Sequence, residues 1–388
     1  MASHSPPPVS HPRRILVRGV NWLGDAVMTT PALLRLRERF PDAHITLLTP
    51  EKLQDLWLHH PAVNKVITFG EGEGLFSVSS KLPLGDFDLA LLLPNSPRAA
   101  LEAWLARIPR RIGYARPWRN WFLTACVADR PGAVMMRKLS TAAIKRRITS
   151  RVAVPQESKF KTQSPSGHHI HQYLHLIAAL GGNPEPLPPR LFITDKELAL
   201  TSADWQKGKL EDFGAAKNLM RLGLNVGAEY GPAKRWPIEN WIQAANEIHK
   251  RLKLTGVECG WLLFGVQKDF WLVNEVAGKV LGHRINLCGK TTLRQMMAEL
   301  SRCRVILTND TGPMHVAAAV GTPVVVPFGS TSPELTGPGL PGDPAHQLIK
   351  SAAPCSPCFR RTCPIDFRCM TGIGVDRVVE ALLEVVQR

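Results

Sequence analysis

Short apolar segments alternate with amphipathic ones along most of the chain, and this alternation constrains the fold more than any other feature. Near the N-terminus, candidate strands cover Arg14–Val17, His44–Leu48, Lys65–Phe69 and Asp88–Leu93, and a candidate helix covers Thr30–Phe40. Strands separated by helical segments of this length form parallel βαβ units. The sequence therefore predicts an α/β fold with parallel sheets.

The alternation stops at about residue 130 and resumes after about residue 190. The region between is basic and rich in Ser and Pro; it contains a candidate helix, His171–Leu180, and ends in the linker-like segment NPEPLPPR. The later candidate strands are Leu222–Val226, Trp261–Phe264, Ile285–Leu287, Val305–Thr308 and Pro323–Pro327, and the later candidate helices are Trp241–Leu252, Leu293–Ser301, Met314–Val320 and Val375–Gln387. Two separate domains are expected, because 388 residues exceed what one compact core holds.

The predicted organisation has three parts. Residues 1–13 form a disordered tail, residues 14–190 a Rossmann-like N-terminal domain, and residues 191–388 a Rossmann-like C-terminal domain that includes a Cys-rich loop at 355–369 and the terminal helix. Two doubly wound domains of this kind are expected to face each other across a cleft and to bind ligands at the carboxyl ends of their strands. With neither a membrane-spanning apolar run nor a signal peptide, the sequence predicts a cytoplasmic protein.

Positive charge is concentrated in one stretch. Of the formal net charge of +16, residues 98–161 contribute 15 Lys/Arg minus 3 Asp/Glu, or +12. Such a stretch favours an anionic partner, which is a nucleic acid, an anionic membrane surface or a phosphorylated substrate. In a nucleic-acid-binding protein Trp118 and Trp121 would stack on bases. The alternative is an ordinary solvated basic face.

Glycine-rich segments follow three candidate strands. In VRGVNWLGDAVMTTPAL, Asn21, Gly24 and Asp25 lie between a strand and the helix expected near Thr30, and Asp25 is a candidate general base or a helix cap. In NVGAEYGPAKRWP, Lys234 and Arg235 are either phosphate ligands or two solvated cations.

The third segment, VILTNDTGPMHVAAAVGTPVVVPFG, is the most specific of the three. The turn Asn309–Pro313 enters a small-residue helix, and exposed amides at such a helix N-terminus form an anion site. His315 on the first turn of this helix would lie near a bound phosphate, or it is a packed core histidine.

Several enzyme classes lack their sequence signatures here. No G-x-G-x-x-G motif joins a strand to a helix, and the P-loop-like run at Gly289-Lys290-Thr291 has Arg284 where the earlier glycine is required. The sequence contains no Gly-x-Ser-x-Gly or His-Glu-x-x-His motif. Cys355, Cys358, Cys363 and Cys369 are a weak zinc candidate, because their spacing is irregular; free or reversibly paired thiols are the favoured interpretation.

Together, NWLGDAVMTTPAL, GAEYGPAKRWP, NDTGPMHVAAAVGTPVVVPFGSTSP and CSPCFRRTCP resemble the lipopolysaccharide heptosyltransferases of glycosyltransferase family 9. The motif order and spacing match from Arg14 onward, AKRWP and the Cys-rich segment favour the type II pattern, and the basic middle region matches least. The resemblance implies a GT-B fold and transfer of heptose from ADP-L-glycero-D-manno-heptose to heptosyl-Kdo2-lipid A, with inversion and with no required cofactor. The expected partners are this donor, this acceptor and the anionic surface of the inner membrane, with no nucleic acid.

By motif position, the resemblance implies that Asp25 is the catalytic base and that Lys234 holds the donor phosphates. Asp310, Thr311, Gly312 and His315 correspond to the donor-binding turn, and Glu229 is a further donor-side residue. The alternatives within the family are a type I or outer-core heptosyltransferase. A sugar-nucleotide epimerase shares this architecture, and a nucleic-acid-binding protein would leave the three loop motifs without a role.

Overall fold

The structure is a computed structural model that describes residues 11–150, 167–200 and 219–388. Most of the predicted tail and residues 151–166 of the basic region lie outside the described residues. The described chain forms two compact units. The N-terminal unit comprises residues 11–133 and 167–192, and the C-terminal unit comprises residues 134–150, 193–200 and 219–388.

Six parallel strands form the sheet of the N-terminal unit, in the spatial order β3-β2-β1-β4-β5-β6. They are β1 (Arg14–Arg18), β2 (His44–Pro50), β3 (Lys65–Phe69), β4 (Leu89–Leu92), β5 (Arg110–Tyr114) and β6 (Ala125–Val127). The four residues of β4 are apolar and buried, and β1 pairs with it residue by residue, from Ile15 opposite Leu89 to Arg18 opposite Leu92. Continuous burial is typical of a parallel strand with helices on both faces.

Among the described residues, the first six α-helices in chain order are α1 (Leu23–Met28), α2 (Thr30–Arg39), α3 (Leu75–Ser80), α4 (Pro97–Leu105), α5 (Thr141–Thr149) and α6 (Ile170–Ala178). All but α5 belong to the N-terminal unit. The start of α4 follows from its sequence, because the Ser96 hydroxyl accepts a hydrogen bond from the Ala99 amide and Pro97 occupies the first helical position.

A second parallel sheet of six strands forms the C-terminal unit, in the order β12-β11-β10-β7-β8-β9. Its strands are β7 (Met220–Asn225), β8 (Cys259–Phe264), β9 (His283–Asn286), β10 (Val305–Thr308), β11 (Val324–Phe328) and β12 (Gln347–Lys350). Its later helices are α7 (Ile238–Leu254), α8 (Phe270–Lys279), α9 (Leu293–Leu300), α10 (Gly312–Ala319), α11 (Pro333–Thr336), α12 (Arg368–Thr371) and α13 (Val375–Gln387). The apolar side of α13 packs into one large core together with Trp236, Trp241 and Trp261.

Both sheets share one topology, in which the chain starts at a central strand, proceeds to one edge and then returns to build the other half. The reversal falls between β1 and β4 in the first sheet and between β10 and β7 in the second. The predicted fold class, α/β with two doubly wound parallel sheets, is thus confirmed. In such sheets ligands bind beyond the carboxyl ends of the strands that flank the reversal. The candidate sites are therefore expected at these two positions.

Residues 134–150 of the basic region pack with the C-terminal unit, although the predicted domain boundary lies near residue 190. The Leu139 amide donates to the Cys358 carbonyl, and Ile144 of α5 is buried against Cys355 and Cys358. The basic region is therefore divided, with residues 98–133 in the N-terminal unit.

Candidate functional site

Asp25 lies just beyond the carboxyl end of β1, where the first sheet reverses. The sequence predicted a loop up to about Thr29, but the structure places Asp25 in the first turn of α1. The N-cap of this helix is Trp22, whose side chain caps nothing, so Asp25 is not the capping residue. Asp25 is partly buried in this turn, and a carboxylate near a helix N-terminus is stabilised by the helix dipole.

Tyr173 on α6 provides a neutral hydroxyl near this carboxylate. Burial raises the pKa of Tyr173 well above its usual value, and the negative charge of Asp25 and the proximity of Tyr114 reinforce the shift. A phenol that stays protonated can donate a hydrogen bond at any physiological pH. Sequence reasoning missed this residue, which lies in the helix predicted at His171–Leu180.

A buried ion pair contacts the segment that leads to Asp25. Arg18, the last residue of β1, donates from Nε to Oε2 of Glu102 at 2.7 Å, and both side chains are almost fully buried. Its Nη1 donates to the Gly19 carbonyl at 2.6 Å and to Oδ1 of Asn21 at 3.4 Å. The pair thus holds the segment between β1 and α1, including Asn21, in one conformation.

Gly19 lies close to the neighbouring strand β2. A Cβ at Gly19 would lie 3.2 Å from the Leu48 carbonyl oxygen of the neighbouring strand, and the Gly19 amide donates to that same oxygen at 2.8 Å. Gly24 is the second residue of α1, one position before Asp25.

In the C-terminal unit, Lys234 and Asp310 form a buried ion pair. Lys234 ends a short 3-10 helix after β7, Asp310 follows β10, and the Nζ–Oδ2 distance is 2.6 Å. The Thr331 hydroxyl donates to the same carboxylate oxygen at 2.5 Å. The two strands are neighbours at the reversal of the second sheet, so the fold brings two separately predicted residues together. The pair leaves two further Nζ protons of Lys234 for a ligand.

Asn309 joins the two loops that carry this pair. Its Oδ1 accepts from the Trp236 amide at 3.1 Å, and its Nδ2 donates to the carbonyls of Val226 and Gly227. These bonds tie the loop after β10 to the chain on both sides of Lys234.

The interpretation of Lys234 as a solvated cation is wrong, whereas the Arg235 side chain is 39% exposed. Lys234 is paired as described, and Arg235 donates from Nη2 to Oδ1 of buried Asp269 at 3.1 Å. Burial raises the pKa of Asp269, and the charge of Arg235 acts in the opposite direction. Asp269 also explains Gly227, because a Cβ there would lie 2.4 Å from the Asp269 carboxylate.

The remaining predicted donor-side residues range from buried to exposed. Thr311 is the N-cap of α10 without a side-chain hydrogen bond to the helix, and Gly312 is its first residue, so the helix N-terminus lies beside the Lys234–Asp310 pair. His315 is buried in the same helix. Glu229 is exposed, 3.9 Å from Lys268 on the side of the sheet formed by β8.

The Cys-rich segment supports the loop that carries Lys234. Nε of Arg361 donates to the Tyr230 carbonyl at 2.7 Å, the Ala233 amide donates to the Arg361 carbonyl at 3.0 Å, and the Tyr230 hydroxyl donates to the Phe359 carbonyl at 2.9 Å. Nζ of Lys234 lies 4.9 Å from the centre of the Tyr230 ring, within range of a cation–π interaction. Sequence reasoning missed this supporting role.

The four cysteines of this segment do not form a metal site in the structure. Within residues 11–150, 167–200 and 219–388, no three His, Cys, Asp or Glu side chains are arranged as ligands of one metal ion. Cys355, Cys358 and Cys369 are buried free thiols, and Cys363 is partly buried. Burial and the neighbouring sulfurs raise the pKa of Cys369 to about 12, so this thiol is protonated.

Substitution of Gly231 tests whether contact with the Cys-rich segment stabilises the loop that carries Lys234. A Cβ at Gly231 would lie 2.5 Å from the Arg361 carbonyl oxygen, and its φ of 149° disfavours other residues. We expect Gly231→Ala to lower the free energy of unfolding by roughly 2 kcal/mol and to weaken nucleotide binding. Urea unfolding and calorimetry measure the two effects.

Gly256→Ala is the matched control, because Gly256 also has a positive φ but nothing lies within 4 Å of its Cβ position. It should cost about 1 kcal/mol and leave nucleotide binding unchanged. Equal nucleotide affinity in both variants would contradict a supporting role of the Cys-rich segment.

Comparison with known proteins identifies the family. Residues 75–367 match the family model described as glycosyltransferase family 9 (heptosyltransferase). The chain belongs to glycosyltransferase family 9. The resemblance seen in the sequence motifs is confirmed, and the protein is a glycosyltransferase.

Individual relatives agree with this assignment. Lipopolysaccharide heptosyltransferase 2 of Salmonella typhimurium is 30% identical over 337 residues, which cover 84% of this chain and 85% of that protein. Lipooligosaccharide heptosyltransferase 2 of Haemophilus ducreyi is 30% identical over 341 residues, covering 84% and 86%. The structure of ADP-heptose lipopolysaccharide heptosyltransferase II from Escherichia coli superposes with a TM-score of 0.71 at 26% identity, covering 96% of this chain and 98% of that one.

Proposed function

We propose that this enzyme transfers L-glycero-D-manno-heptose from ADP-heptose to the heptosyl-Kdo2-lipid A inner core of lipopolysaccharide, with inversion at the anomeric carbon. The observation that carries the proposal is the Lys234–Asp310 pair beside the N-terminus of α10, at the reversal of the second sheet. The similarity to heptosyltransferase 2 proteins supports the choice of sugar and acceptor.

In the proposed reaction Asp25 takes the proton of an acceptor hydroxyl as its oxygen attacks the anomeric carbon of the donor. The bond from that carbon to the diphosphate breaks, and the negative charge passes to the departing nucleoside diphosphate. Lys234 and the amides at the start of α10 stabilise this charge. We propose that these groups suffice without a required cofactor.

The nucleotide is tested by thermal unfolding in the presence of ADP, UDP and GDP. A ligand that binds only the folded state at 100 times its Kd adds about 2.7 kcal/mol to the free energy of unfolding. We expect the largest rise in Tm with ADP. A larger rise with UDP or GDP would contradict an ADP-linked donor.

The acceptor is tested with purified lipid A precursors that either carry or lack the first heptose. We expect transfer from ADP-heptose only to the heptosylated precursor, and an inverted anomeric configuration by NMR. Transfer to the precursor without heptose would indicate a type I enzyme. Conversion of the donor sugar in the absence of any acceptor would indicate an epimerase.

The proposed acceptor is anchored in a lipid bilayer, so we propose that the enzyme acts peripherally at the cytoplasmic face of the inner membrane. Among the described residues, no helix combines the length and the apolar character that a bilayer span requires.

A further inference from the structure

A strip of aromatic side chains lies on the surface of the N-terminal unit. Trp104 on α4 and Trp118 and Trp121 after β5 have exposed fractions of 47%, 74% and 77%. The rings of Trp118 and Trp121 meet edge to face at 6.0 Å, and Phe122 meets Trp104 in the same way at 5.7 Å. We call these four residues the aromatic strip.

The segment that presents the strip is held firmly. The Arg119 side chain is fully buried, and its Nη1 donates to the Pro94 carbonyl at 2.8 Å. The Arg116 amide donates to Oδ1 of Asn120 at 2.8 Å, and Nε of Arg111 donates to the Phe122 carbonyl at 2.6 Å. Large apolar rings are thus held in water by an ordered backbone.

Trp118 also adopts a left-handed backbone conformation, with a φ of 63°. This conformation is unfavourable for a bulky residue, and it persists only where the surrounding structure imposes it. The strain and the exposure together indicate that this surface has a function in binding.

The charge around the strip has one sign. Between Glu102 and Asp129 the sequence contains five arginines and no acidic residue. Arg107 and Arg110 are exposed, and the Arg107 amide donates to the Trp104 carbonyl, which places Arg107 at the end of the strip. Arg116 is the one of the five that pairs with Asp129, at 2.7 Å.

We propose that the aromatic strip and the adjacent arginines are the surface by which this enzyme docks on an anionic lipid bilayer. Tryptophan rings favour the headgroup layer, where one part of the ring is apolar and another can donate a hydrogen bond, and arginines attract anionic lipids. A bilayer satisfies both features at once. The proposal rests on the proposed function, because a lipid-anchored acceptor requires the enzyme to approach the membrane.

Sedimentation with vesicles tests this surface. The full-length enzyme is mixed with vesicles of phosphatidylethanolamine and phosphatidylglycerol, or of phosphatidylcholine alone, at low and high salt. We expect preferential binding to the anionic vesicles, weakening with salt, and a loss of about tenfold for each of Trp118→Ala and Trp121→Ala. Arg107→Gln combined with Arg110→Gln should weaken binding and reduce its salt dependence.

Trp271→Ala is the matched control, since Trp271 is 81% exposed on α8 of the C-terminal unit. The Trp271 variant should bind vesicles as the unaltered enzyme does. An unchanged Tm of the strip variants would show that those variants are folded. Vesicle binding that is equal in the strip and control variants would overturn the proposal. So would loss of vesicle binding on addition of single-stranded DNA, which would indicate a nucleic-acid surface.

Turnover with a water-soluble acceptor oligosaccharide separates this proposal from the proposed function. The strip variants should retain that turnover while losing vesicle binding. If the unaltered enzyme binds anionic vesicles through the strip but transfers no heptose, the docking surface stands and the proposed function fails.

Discussion

Replacing Asp25 by asparagine is expected to lower kcat by roughly 10²–10⁴-fold while leaving the affinity for the nucleotide largely unchanged. Asparagine preserves the shape of the side chain in the first turn of α1, but it cannot take up the proton of the hydroxyl group of the acceptor sugar. Because Trp22 rather than Asp25 is the N-cap of α1, loss of a helix cap should not contribute to this effect. Single-turnover kinetics with saturating donor measure the chemical step, and calorimetry with ADP measures binding.

Asp42→Asn is a suitable control, since Asp42 is an exposed carboxylate on the same unit, in the turn before β2. It should leave kcat unchanged. The free energy of unfolding of the Asp25 variant should be lower than that of the unaltered protein by about 1 kcal/mol or less, because the interaction of the carboxylate with the helix dipole is lost. Near-normal kcat in Asp25→Asn would remove this residue from the reaction and leave it as a helix-stabilising carboxylate.

Much of the fold could be predicted from the sequence because the central strands of both sheets are short, continuous apolar runs. All nine predicted strands correspond to observed ones, with ends shifted by a few residues. Continuous apolar runs of this length have few alternatives to a parallel strand buried on both faces. The alternation of these runs with helices predicted that the sheets are parallel.

The strands that the sequence analysis missed lie toward the edges of the sheets. They are β5, with sequence RRIGY, β6, with three residues, and β12, with sequence QLIK. β5 and β12 are partly polar, and β6 has only three residues. An outer strand packs against fewer apolar neighbours. These strands are held by hydrogen bonds to a neighbouring strand, for instance at Ile112 opposite Ala125. A local sequence pattern does not reveal such pairing.

The sequence predicted individual residues of the candidate site but not the contacts between them. Asp25, Lys234 and Asp310 follow buried strands in glycine-containing segments, which marks them without any structure. Their partners are set by the fold: Thr331 reaches Asp310, and Glu102 reaches Arg18, from other strand–helix units. Contacts over such sequence separations depend on strand order, which short motifs do not encode.

Removing the Lys234 side chain is expected to affect both donor binding and stability. Lys234→Ala leaves Asp310 buried with Thr331 as its described hydrogen-bond donor. A buried charge that loses its partner typically costs about 3–5 kcal/mol in the free energy of unfolding, and loss of a cation at a phosphate weakens binding by at least about tenfold. Urea unfolding and calorimetry with ADP measure the two quantities. Lys268→Ala, which removes an exposed cation of the same unit, is the control.

A double variant separates the two roles of Lys234. Lys234→Met combined with Asp310→Asn removes both charges, so no buried charge is left unpaired, and most of the lost stability should return. ADP affinity should stay low, because the cation proposed to hold the diphosphate is still missing. If the double variant recovered ADP affinity together with stability, Lys234 would act only by neutralising Asp310, and the leaving diphosphate would have to be held by the N-terminus of α10 and other cations.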